Sequence, residues 1–302
     1  MNAPLCVVIC THNRAPAAVA AVERLLAGDP AAPLLVVDSA SSAEHAAALE
    51  RFAAAHSSVR LVRCAEPGLA IARNTGVREA GAEWVAFVDD DIAVADDWWE
   101  SARRAVIGAA ADVGVIGGRI LPRWPGARPQ YVGWRWLMFL SCIEDIERPF
   151  KNGIQEAYGG NFLLRSAAWR DAGGYPENLG RIGDVLLSGE DNRLQYAVHE
   201  SGWRVVFDAS LVVEHLIPQE RLTRGWIRRR SYWGGVSEVV GEPTTGPLPA
   251  RLHPLKALGS FLVLRAASLV SDPKSDRYIR AHYARGVLVA RLRRSRWNLT
   301  PS

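Results

Sequence analysis

The chain has 302 residues, of which 49% are hydrophobic and 23% charged, a composition typical of a globular protein with a full core. Its formal net charge is +4, and its four cysteines lack metal-ligand spacing, which indicates buried, reduced thiols of a cytoplasmic protein. We expect neither a secretory signal nor a membrane-spanning helix, because no apolar run of about 18 residues occurs.

Apolar, β-branched runs alternate with helical segments along the first part of the chain. The predicted strands are 5–10, 34–37, 59–62, 84–88 and 113–116, and the predicted helices are 16–27, 43–55, 68–80 and 97–110. This alternation predicts a parallel, doubly wound sheet with right-handed crossovers. Polar residues that follow the strands would then gather at one edge of the sheet.

Three consecutive acids, Asp89, Asp90 and Asp91, end the predicted strand 84–88. Like charges this close are costly unless a cation or hydrogen bonds compensate for them. Mg²⁺ prefers oxygen ligands and often bridges to substrate phosphates. From these residues alone, a metal–diphosphate site and an acidic turn before a helix cap are equal alternatives.

The middle of the chain is less regular. Residues 122–133 are rich in proline, glycine and arginine, which predicts an irregular excursion. Short strands are predicted at 162–164 and 205–207, with a helix over 190–201 between them. Four aromatic residues of the middle segment could stack on a sugar or fill a core: Trp124, Tyr131, Trp134 and Trp136.

The last part of the chain is basic. Proline-rich residues 243–254 predict a linker, and helices are predicted over 255–270 and 276–294. Residues 251–302 contain eleven Lys or Arg and two Asp, which gives a net charge of +9 and leaves −5 for residues 1–250. Such a tail favours an anionic partner: a membrane, a nucleic acid or an acidic protein.

The final predicted helix has one apolar face, formed by Tyr278, Ile279, His282, Tyr283, Val287 and Leu288, with Arg277, Arg280 and Arg291 opposite. Residues 255–297 could use this face to dock on an anionic membrane surface. The alternative is that the helix packs on the rest of the protein.

Six short motifs follow one another along residues 5–215. They are VVICTHNR (7–14), LLVVDSAS (34–41), GLAIARNTG (68–76), WVAFVDDDI (84–92), GGNFLLRSAAWRDAGGY (159–175) and GEDNRL (189–194). Their order and rough spacing resemble the GT-A-fold glycosyltransferases of family 2, which use nucleotide-sugar donors. The resemblance implies an α/β fold of the GT-A class, Rossmann-like, with a mostly parallel central sheet flanked by helices and a C-terminal helical extension.

The resemblance also implies a domain organisation. A catalytic domain would cover residues 1–242, with a nucleotide-binding half at about 1–118 and an acceptor half at about 119–242. Residues 243–302 would form the linker and the basic helical extension.

By resemblance, the donor-binding residues come from the ends of several strands. The loop after the first strand would lie against the base, ribose and phosphate, and Asp38 would read the base, which favours a UDP- or dTDP-sugar. The GGN loop would line the sugar pocket. The implied donor-binding residues are Thr11, His12, Asn13, Arg14, Asp38, Gly68, Arg73, Asn74, Asp89, Asp90, Gly160 and Asn161.

The acids 89–91 correspond to the family's DxD signature. Asp91 would be the main metal ligand, with Asp89 near the metal-bound waters and His215 completing the shell. Oxygen ligands suit both Mn²⁺ and Mg²⁺, and an imidazole favours Mn²⁺. The ion would neutralise charge on the departing diphosphate.

The acidic pair at the start of helix 190–201 corresponds to the family's catalytic acids. Asp191 would accept the proton of the acceptor hydroxyl, and Glu190 would orient the acceptor. A helix N-terminus stabilises a carboxylate as an anion. The reaction implied is an inverting single displacement onto a saccharide, lipid-linked or small-molecule acceptor, in the cytoplasm or at the inner membrane face.

Two other functions compete with this interpretation. A sugar-1-phosphate nucleotidyltransferase needs a glycine-rich, basic loop after the first strand, and residues 11–16 (THNRAP) lack the glycines. A nucleic-acid-binding protein would fit the basic tail, but no RRM, KH or helix-turn-helix signature occurs. We therefore expect no nucleic-acid partner.

Overall fold

The computed structural model describes residues 5–144, 154, 157–183, 185–242, 258–259, 262 and 276–292. The predicted linker 243–254 and most of the predicted helix 255–270 lie outside these residues. The described strands are β1 (Leu5–Thr11), β2 (Leu34–Ser39), β3 (Val59–Cys64), β4 (Trp84–Phe87), β5 (Ile92–Val94), β6 (Val113–Arg123), β7 (Phe162–Arg165) and β8 (Arg204–Leu216).

The helices confirm most of the sequence-based assignments. They are α1 (Ala15–Gly28), α2 (Ala43–Ala54), α3 (Leu69–Ala80), α4 (Trp98–Gly108), α5 (Trp134–Phe139), α6 (Ser166–Asp171), α7 (Glu190–Glu200), α8 (Arg224–Val240) and α9 (Asp276–Leu292). A 3-10 helix covers Gln219–Leu222. The sequence patterns did not predict α5, α6 or α8.

The eight strands form one sheet in the order β3-β2-β1-β4-β7-β6-β8-β5. Strands β1 to β4 are parallel to their neighbours in this group, and β6 is parallel to β8. Strand β7 is antiparallel to both β4 and β6, and β5 is antiparallel to β8. The sheet is therefore mixed but mostly parallel, as the family resemblance implies, whereas the alternating pattern alone did not predict the antiparallel strands β5 and β7.

Both faces of the sheet are covered by helices. Successive side chains of a strand point to opposite faces, and in β1 Val7 and Ile9 join one buried cluster whereas Cys6 and Val8 join the other. Helices α1, α2 and α4 contribute to the first cluster, and α3, α6 and α7 to the second. This two-sided burial explains why β1 reads as a continuous apolar run.

Strands β6 and β8 are longer than predicted. The predictions that they end at Ile116 and Phe207 are wrong, because the two strands pair in parallel as far as Arg123 and Leu216. Gly117 and Gly118 interrupt the apolar pattern within β6. A side chain at Gly117 would overlap Ala157, and one at Gly118 would overlap Asn161, so the neighbours pack directly on this backbone.

The chain divides into two compact units. The first comprises Met1–Arg123, Ser141–Pro176 and Asp191–Leu216 and contains the sheet. The second comprises Trp124–Leu140, Glu177–Glu190 and Ile217–Ser302, and its described helices are α5, α8 and α9. The functional halves 1–118 and 119–242 and the boundary at residue 242 stay predictions.

Within the second unit, α9 packs along α8. Glycines lie at the crossing: a side chain at Gly235 would overlap the Tyr283 carbonyl, and one at Gly286 the Tyr232 carbonyl. The Arg224 guanidinium lies 5.9 Å from the Tyr278 ring near one end. Part of the apolar face predicted to dock on membranes is thus used inside the protein. No helix in the described part of the chain is long and apolar enough to cross a membrane.

The aromatic residues of the middle segment belong mostly to the core of the second unit. Trp136 is buried against Ile227 and Ile279, and Trp124 and Tyr131 pack against the same cluster. Trp134 is exposed. Core filling therefore accounts for three of the four rings.

Candidate active site

The loop after β1 contacts the acids after β4. Thr11 Oγ1 donates to Asp90 Oδ2 at 2.9 Å. Arg14 Nη1 lies 2.7 Å from Asp90 Oδ1 and 3.5 Å from Asp91 Oδ2. Because β1 and β4 are neighbouring parallel strands, their carboxyl ends meet at one edge of the sheet, as predicted.

The charges at this edge influence one another. Burial raises the pKa of Asp90 to about 6, although Arg14 opposes the shift. Burial would lower the pKa of Arg14, but the Asp90 and Asp91 carboxylates outweigh that effect and raise it. Arg14 is therefore the positive charge that stabilises two of the three acids.

The loops after β1 and β2 are tied together. His12 Nδ1 lies 2.6 Å from the Ser39 carbonyl oxygen. The Asn13 N–H donates to Ser41 Oγ at 2.8 Å, and Asn13 Oδ1 accepts from the Ser42 N–H at 2.8 Å. Asn13 has a φ of 54°, a left-handed conformation that asparagine tolerates. The predicted nucleotide loop is thus already shaped by protein contacts.

Asp38 and Gly68 complete this pair of loops. Asp38 is 1% exposed; its Oδ1 accepts from the Ser41 N–H at 3.0 Å, and its Oδ2 lies 3.4 Å from Arg63 Nε. The Gly68 N–H donates to Ser39 Oγ at 3.0 Å. Both Asp38 oxygens have protein neighbours, so its predicted reading of the base stays a prediction.

Asp91 and His215 face each other because of a short strand that the sequence patterns did not predict. Strand β5 directly follows the acids and pairs antiparallel with β8, with Ile92 opposite His215. The Leu216 N–H donates to the Asp91 carbonyl at 2.9 Å. His215 Nε2 then lies 3.4 Å from Asp91 Oδ2, and His215 is 4% exposed.

This pair supplies donor types that suit a divalent cation. A carboxylate oxygen and an imidazole nitrogen fit Mn²⁺, and Mg²⁺ or Mn²⁺ takes further ligands from water and phosphate oxygens. Among the residues that the structure describes, no group of three or more His, Cys, Asp or Glu side chains could hold a metal by itself. Cys142 Sγ lies 3.9 Å from His215 Nδ1. The spacing of the cysteines in the sequence did not predict this contact.

Asp89 lies on the other side of the triplet. Arg73 Nη2 is 3.3 Å from Asp89 Oδ1, and the Asp89 side chain is 38% exposed. The Arg73 guanidinium lies beside the rings of Phe87 and Tyr175. Asp89 was predicted as a second metal ligand, and in the structure its polar neighbour is this buried arginine.

The side chain of Asn74 bonds to the protein backbone. Its Nδ2 donates to the Tyr175 carbonyl at 3.0 Å, and its Oδ1 accepts from the Tyr175 N–H at 2.8 Å and from Trp169 Nε1 at 3.0 Å. Its predicted contact with the nucleotide stays a prediction, while the observed contacts fix the turn before Pro176.

The Asn161 side chain joins three elements in the same way. Its Nδ2 donates to the carbonyls of Arg119 and Leu211, both at 3.0 Å, and its Oδ1 accepts from Trp98 Nε1 at 3.1 Å. The residue is 1% exposed. These bonds fix the loop that was predicted to line the sugar pocket.

The Gly159–Gly160 turn lies between the DxD acids and Asp191. The Gly159 N–H donates to Asp191 Oδ2 at 3.0 Å, and the Asn192 N–H donates to Asp191 Oδ1 at 2.9 Å. A Cβ at Gly160 would lie 3.3 Å from Asp89 Oδ2. The turn therefore brings the predicted base close to the acids after β4.

Glu190 is the first residue of α7 and is buried. Its predicted role in orienting the acceptor stays a prediction.

A comparison with protein families decides the family. The sequence profile described as "Glycosyl transferase family 2" matches residues 6–170, which include the β1 loop, the DxD acids and the Gly159–Gly160 turn. The chain belongs to glycosyl transferase family 2. The family resemblance predicted from the six motifs is thereby confirmed, and the membership supports the predicted glycosyltransferase class of enzyme.

Two relatives in this family extend the likeness beyond the profile. The chain is 25% identical over 211 residues to glucosyl-dolichyl phosphate glucuronosyltransferase of Haloferax volcanii, covering 68% of this chain and 66% of that protein. It is 28% identical over 270 residues to pre-mycofactocin glycosyltransferase of Mycobacterium tuberculosis, covering 88% of this chain and 51% of that protein. The chain thus spans about half to two thirds of the length of these relatives.

A solved structure shows the fold. The mannosyltransferase PcManGT from Pyrobaculum calidifontis, in complex with GDP-Man and Mn²⁺, has a TM-score of 0.60 and 20% identity, covering 97% of this chain and 88% of that chain. This likeness confirms the predicted GT-A fold with a C-terminal helical segment.

Proposed function

We propose that the family 2 chain transfers a sugar from a nucleotide-diphosphate donor to an acceptor hydroxyl, by a single displacement that inverts the anomeric centre. One observation carries the proposal: the Gly159–Gly160 turn hydrogen-bonds Asp191 and lies close to Asp89, whose Oδ2 would be 3.3 Å from a Cβ added at Gly160. This proximity within the first unit supports a donor diphosphate at the acids after β4 and a general base beside it.

The donor diphosphate would lie at the edge formed by the β1 loop and the acids. Arg14 is suited to contact it, because its side chain is 41% exposed and already lies among carboxylates. Asp91 and His215 would hold Mn²⁺ or Mg²⁺, which would supply charge neutralisation to the departing diphosphate. The complex of PcManGT with GDP-Man and Mn²⁺ supports a divalent cation together with a nucleotide-sugar donor.

Asp191 would act as the general base. Two backbone N–H groups hold its oxygens, and its place in the first turn of α7 favours the anion. It would accept the proton of the acceptor hydroxyl while that oxygen bonds to the anomeric carbon and the bond from that carbon to the diphosphate breaks. Attack from the side opposite the diphosphate inverts the anomeric carbon.

The acceptor would be a hydroxyl on a lipid-linked saccharide, another saccharide or a small molecule. The Haloferax volcanii relative is named for a glucosyl-dolichyl phosphate, and the Mycobacterium tuberculosis relative for pre-mycofactocin. UDP- and dTDP-sugars are the favoured donors from the predicted role of Asp38, and GDP-sugars belong in the same test.

The proposal is tested with a panel of nucleotide sugars in the presence of Mn²⁺, Mg²⁺ or a chelator. We expect one donor class to release nucleotide diphosphate in a metal-dependent manner. Asp191→Asn should keep donor binding but reduce transfer by about 10²–10⁴-fold, the usual contribution of a general base. Asp96→Asn is the matched control, because Asp96 is exposed on the same unit. Absence of metal-dependent turnover across the panel would contradict the proposal.

A further inference from the structure

Arg73 carries a buried positive charge within the first unit. Its side chain is 3% exposed, and its Cζ lies 5.8 Å from the centre of the Phe87 ring and 5.7 Å from that of Tyr175. A buried cation is costly unless an anion and polarisable ring faces compensate for it. The two rings and the low exposure restrict the positions that this guanidinium can take.

Two groups of the candidate active site contact this guanidinium. Asp89 Oδ1 lies 3.3 Å from Nη2. The backbone of Gly159 packs against the same guanidinium so closely that a Cβ at Gly159 would overlap it, with Nη2 as the nearest atom. The same Gly159 donates its N–H to Asp191 Oδ2 at 3.0 Å. One side chain therefore touches a donor-site acid and supports the backbone group that holds the proposed base.

The next residue of α3 fixes the surroundings of Arg73. Asn74 bonds to both the N–H and the carbonyl of Tyr175, at 2.8 and 3.0 Å. These bonds hold the ring that covers the guanidinium, and Phe87 meets the same ring edge to face at 5.7 Å. Asn74 thus fixes Tyr175, whose ring packs against Arg73, and Arg73 in turn contacts Asp89.

We infer that Arg73 is a positioning residue that couples the DxD acid Asp89 to the base Asp191 through Gly159. This differs from the donor contact that its motif predicts, and it rests on the proposed function. During transfer, Asp191 takes the acceptor proton as the new C–O bond forms and the bond to the diphosphate breaks. Arg73 makes no bond and moves no proton: it keeps Gly159, and thus the Asp191 carboxylate, in place.

A double-mutant cycle between positions 73 and 191 tests the coupling. Arg73→Met should lower kcat at least about tenfold and change the donor KM and the Kd for nucleotide diphosphate by less than about threefold. In the Asp191→Asn background, Arg73→Met should lower kcat by less than about threefold, because the base that Arg73 positions is already lost. If the kcat losses of the two single variants multiply in the double variant, the inference is overturned. It is also overturned if Arg73→Met changes only KM.

Arg14→Met is the matched control for this cycle. Arg14 contacts Asp90 and Asp91 rather than the glycine turn. Arg14→Met should raise the donor KM. Its effect on kcat/KM should multiply with that of Asp191→Asn, since Arg14 acts in donor binding and Asp191 in the chemical step. If the cycle between Arg14 and Asp191 were as non-additive as the cycle between Arg73 and Asp191, the coupling would not be specific to Arg73.

Amide exchange at Gly159, read by NMR in the ligand-free protein, gives a result that needs no donor. Arg73→Met should speed this exchange by about tenfold or more and leave the Val85 amide of β4 unchanged. Unchanged exchange at Gly159 would overturn the inference. If Arg73→Met fails to fold, Arg73→Lys keeps the charge but loses the planar fork, and it is expected to show the same two effects.

The two proposals fail in distinguishable ways. A wild-type chain that binds no nucleotide and transfers no sugar contradicts the proposed function, while the exchange measurement still decides the support of Gly159 by Arg73. If the wild-type chain is active but the effects of Arg73→Met and Asp191→Asn on kcat multiply, only the inference is contradicted.

Discussion

Polar residues of the same motifs serve two different purposes. Thr11 bonds to Asp90 and Arg14 lies beside Asp91 at the edge of the sheet. The side-chain amides of Asn74 and Asn161 instead form hydrogen bonds with backbone groups and tryptophan side chains. The motifs therefore predict which residues belong to the site, and the contacts show which of them are already bonded to the protein backbone.

Asn161→Ala should destabilise the protein, because it leaves two buried carbonyls and the Trp98 indole N–H without this partner. Each unsatisfied buried group costs about 1–3 kcal/mol, so we expect a loss of at least about 2 kcal/mol in the free energy of unfolding. Denaturant titration followed by tryptophan fluorescence measures it. An unchanged midpoint would show that these bonds contribute nothing to the fold.

At the scale of secondary-structure elements, short strand β5 has a large effect on the site. It pairs with β8 and places His215 opposite Ile92, so that the imidazole reaches Asp91. The sequence predicts Asp91 and His215 as metal ligands, and the structure brings their side chains within 3.4 Å of each other. It does not reveal why they meet, because β5 has only three residues and its partner lies far along the chain.

Long-range contacts also explain the roles that the sequence could not assign. Asn74 and Tyr175 are separated by 101 residues, and no local pattern shows that one bonds to the other. By contrast, strand ends and the carboxyl edge follow from local patterns plus the rule for parallel sheets. The β1 loop and the acids after β4 were therefore predicted together, whereas the burial of Arg73 was not.

Two of the three glycines of α8, Gly225 and Gly235, should respond in opposite directions to alanine. Gly235→Ala would force a Cβ into the Tyr283 carbonyl of α9, whereas nothing lies within 4 Å of a Cβ at Gly225. Overpacking costs about 1–3 kcal/mol, and an open helical glycine gains up to about 1 kcal/mol as alanine. Thermal unfolding of the two variants compares them. Equal effects would mean that α8 and α9 do not approach closely.

Helix α9 also presents exposed arginines, among them Arg277, Arg280 and Arg285. Since Ile279 is buried and Tyr283 lies against α8, we expect contact with an anionic membrane to be electrostatic rather than by insertion of the apolar face. The chain should co-sediment with phosphatidylglycerol vesicles at low salt and be released at high salt. Arg277→Gln with Arg280→Gln should weaken binding, and no sedimentation at low salt would end the docking hypothesis.

At the scale of the whole molecule, the first unit contains the candidate active site apart from Glu190. The family match ends at residue 170, before Asp191 and His215. These two residues reach the matched part through Gly159 and Asp91. The catalytic and metal-binding proposals thus depend on contacts between the matched and unmatched parts of the chain.

The most direct measurement is a calorimetric titration of the wild-type chain and Asp91→Ala with UDP, dTDP and GDP, each with and without Mn²⁺. We predict that at least one nucleotide binds only with the metal present and that Asp91→Ala weakens this binding at least about tenfold, the loss typical of a disrupted metal site. If none of the three nucleotides gives heat, or if Asp91→Ala binds as tightly as the wild type, the acids after β4 do not form the diphosphate site.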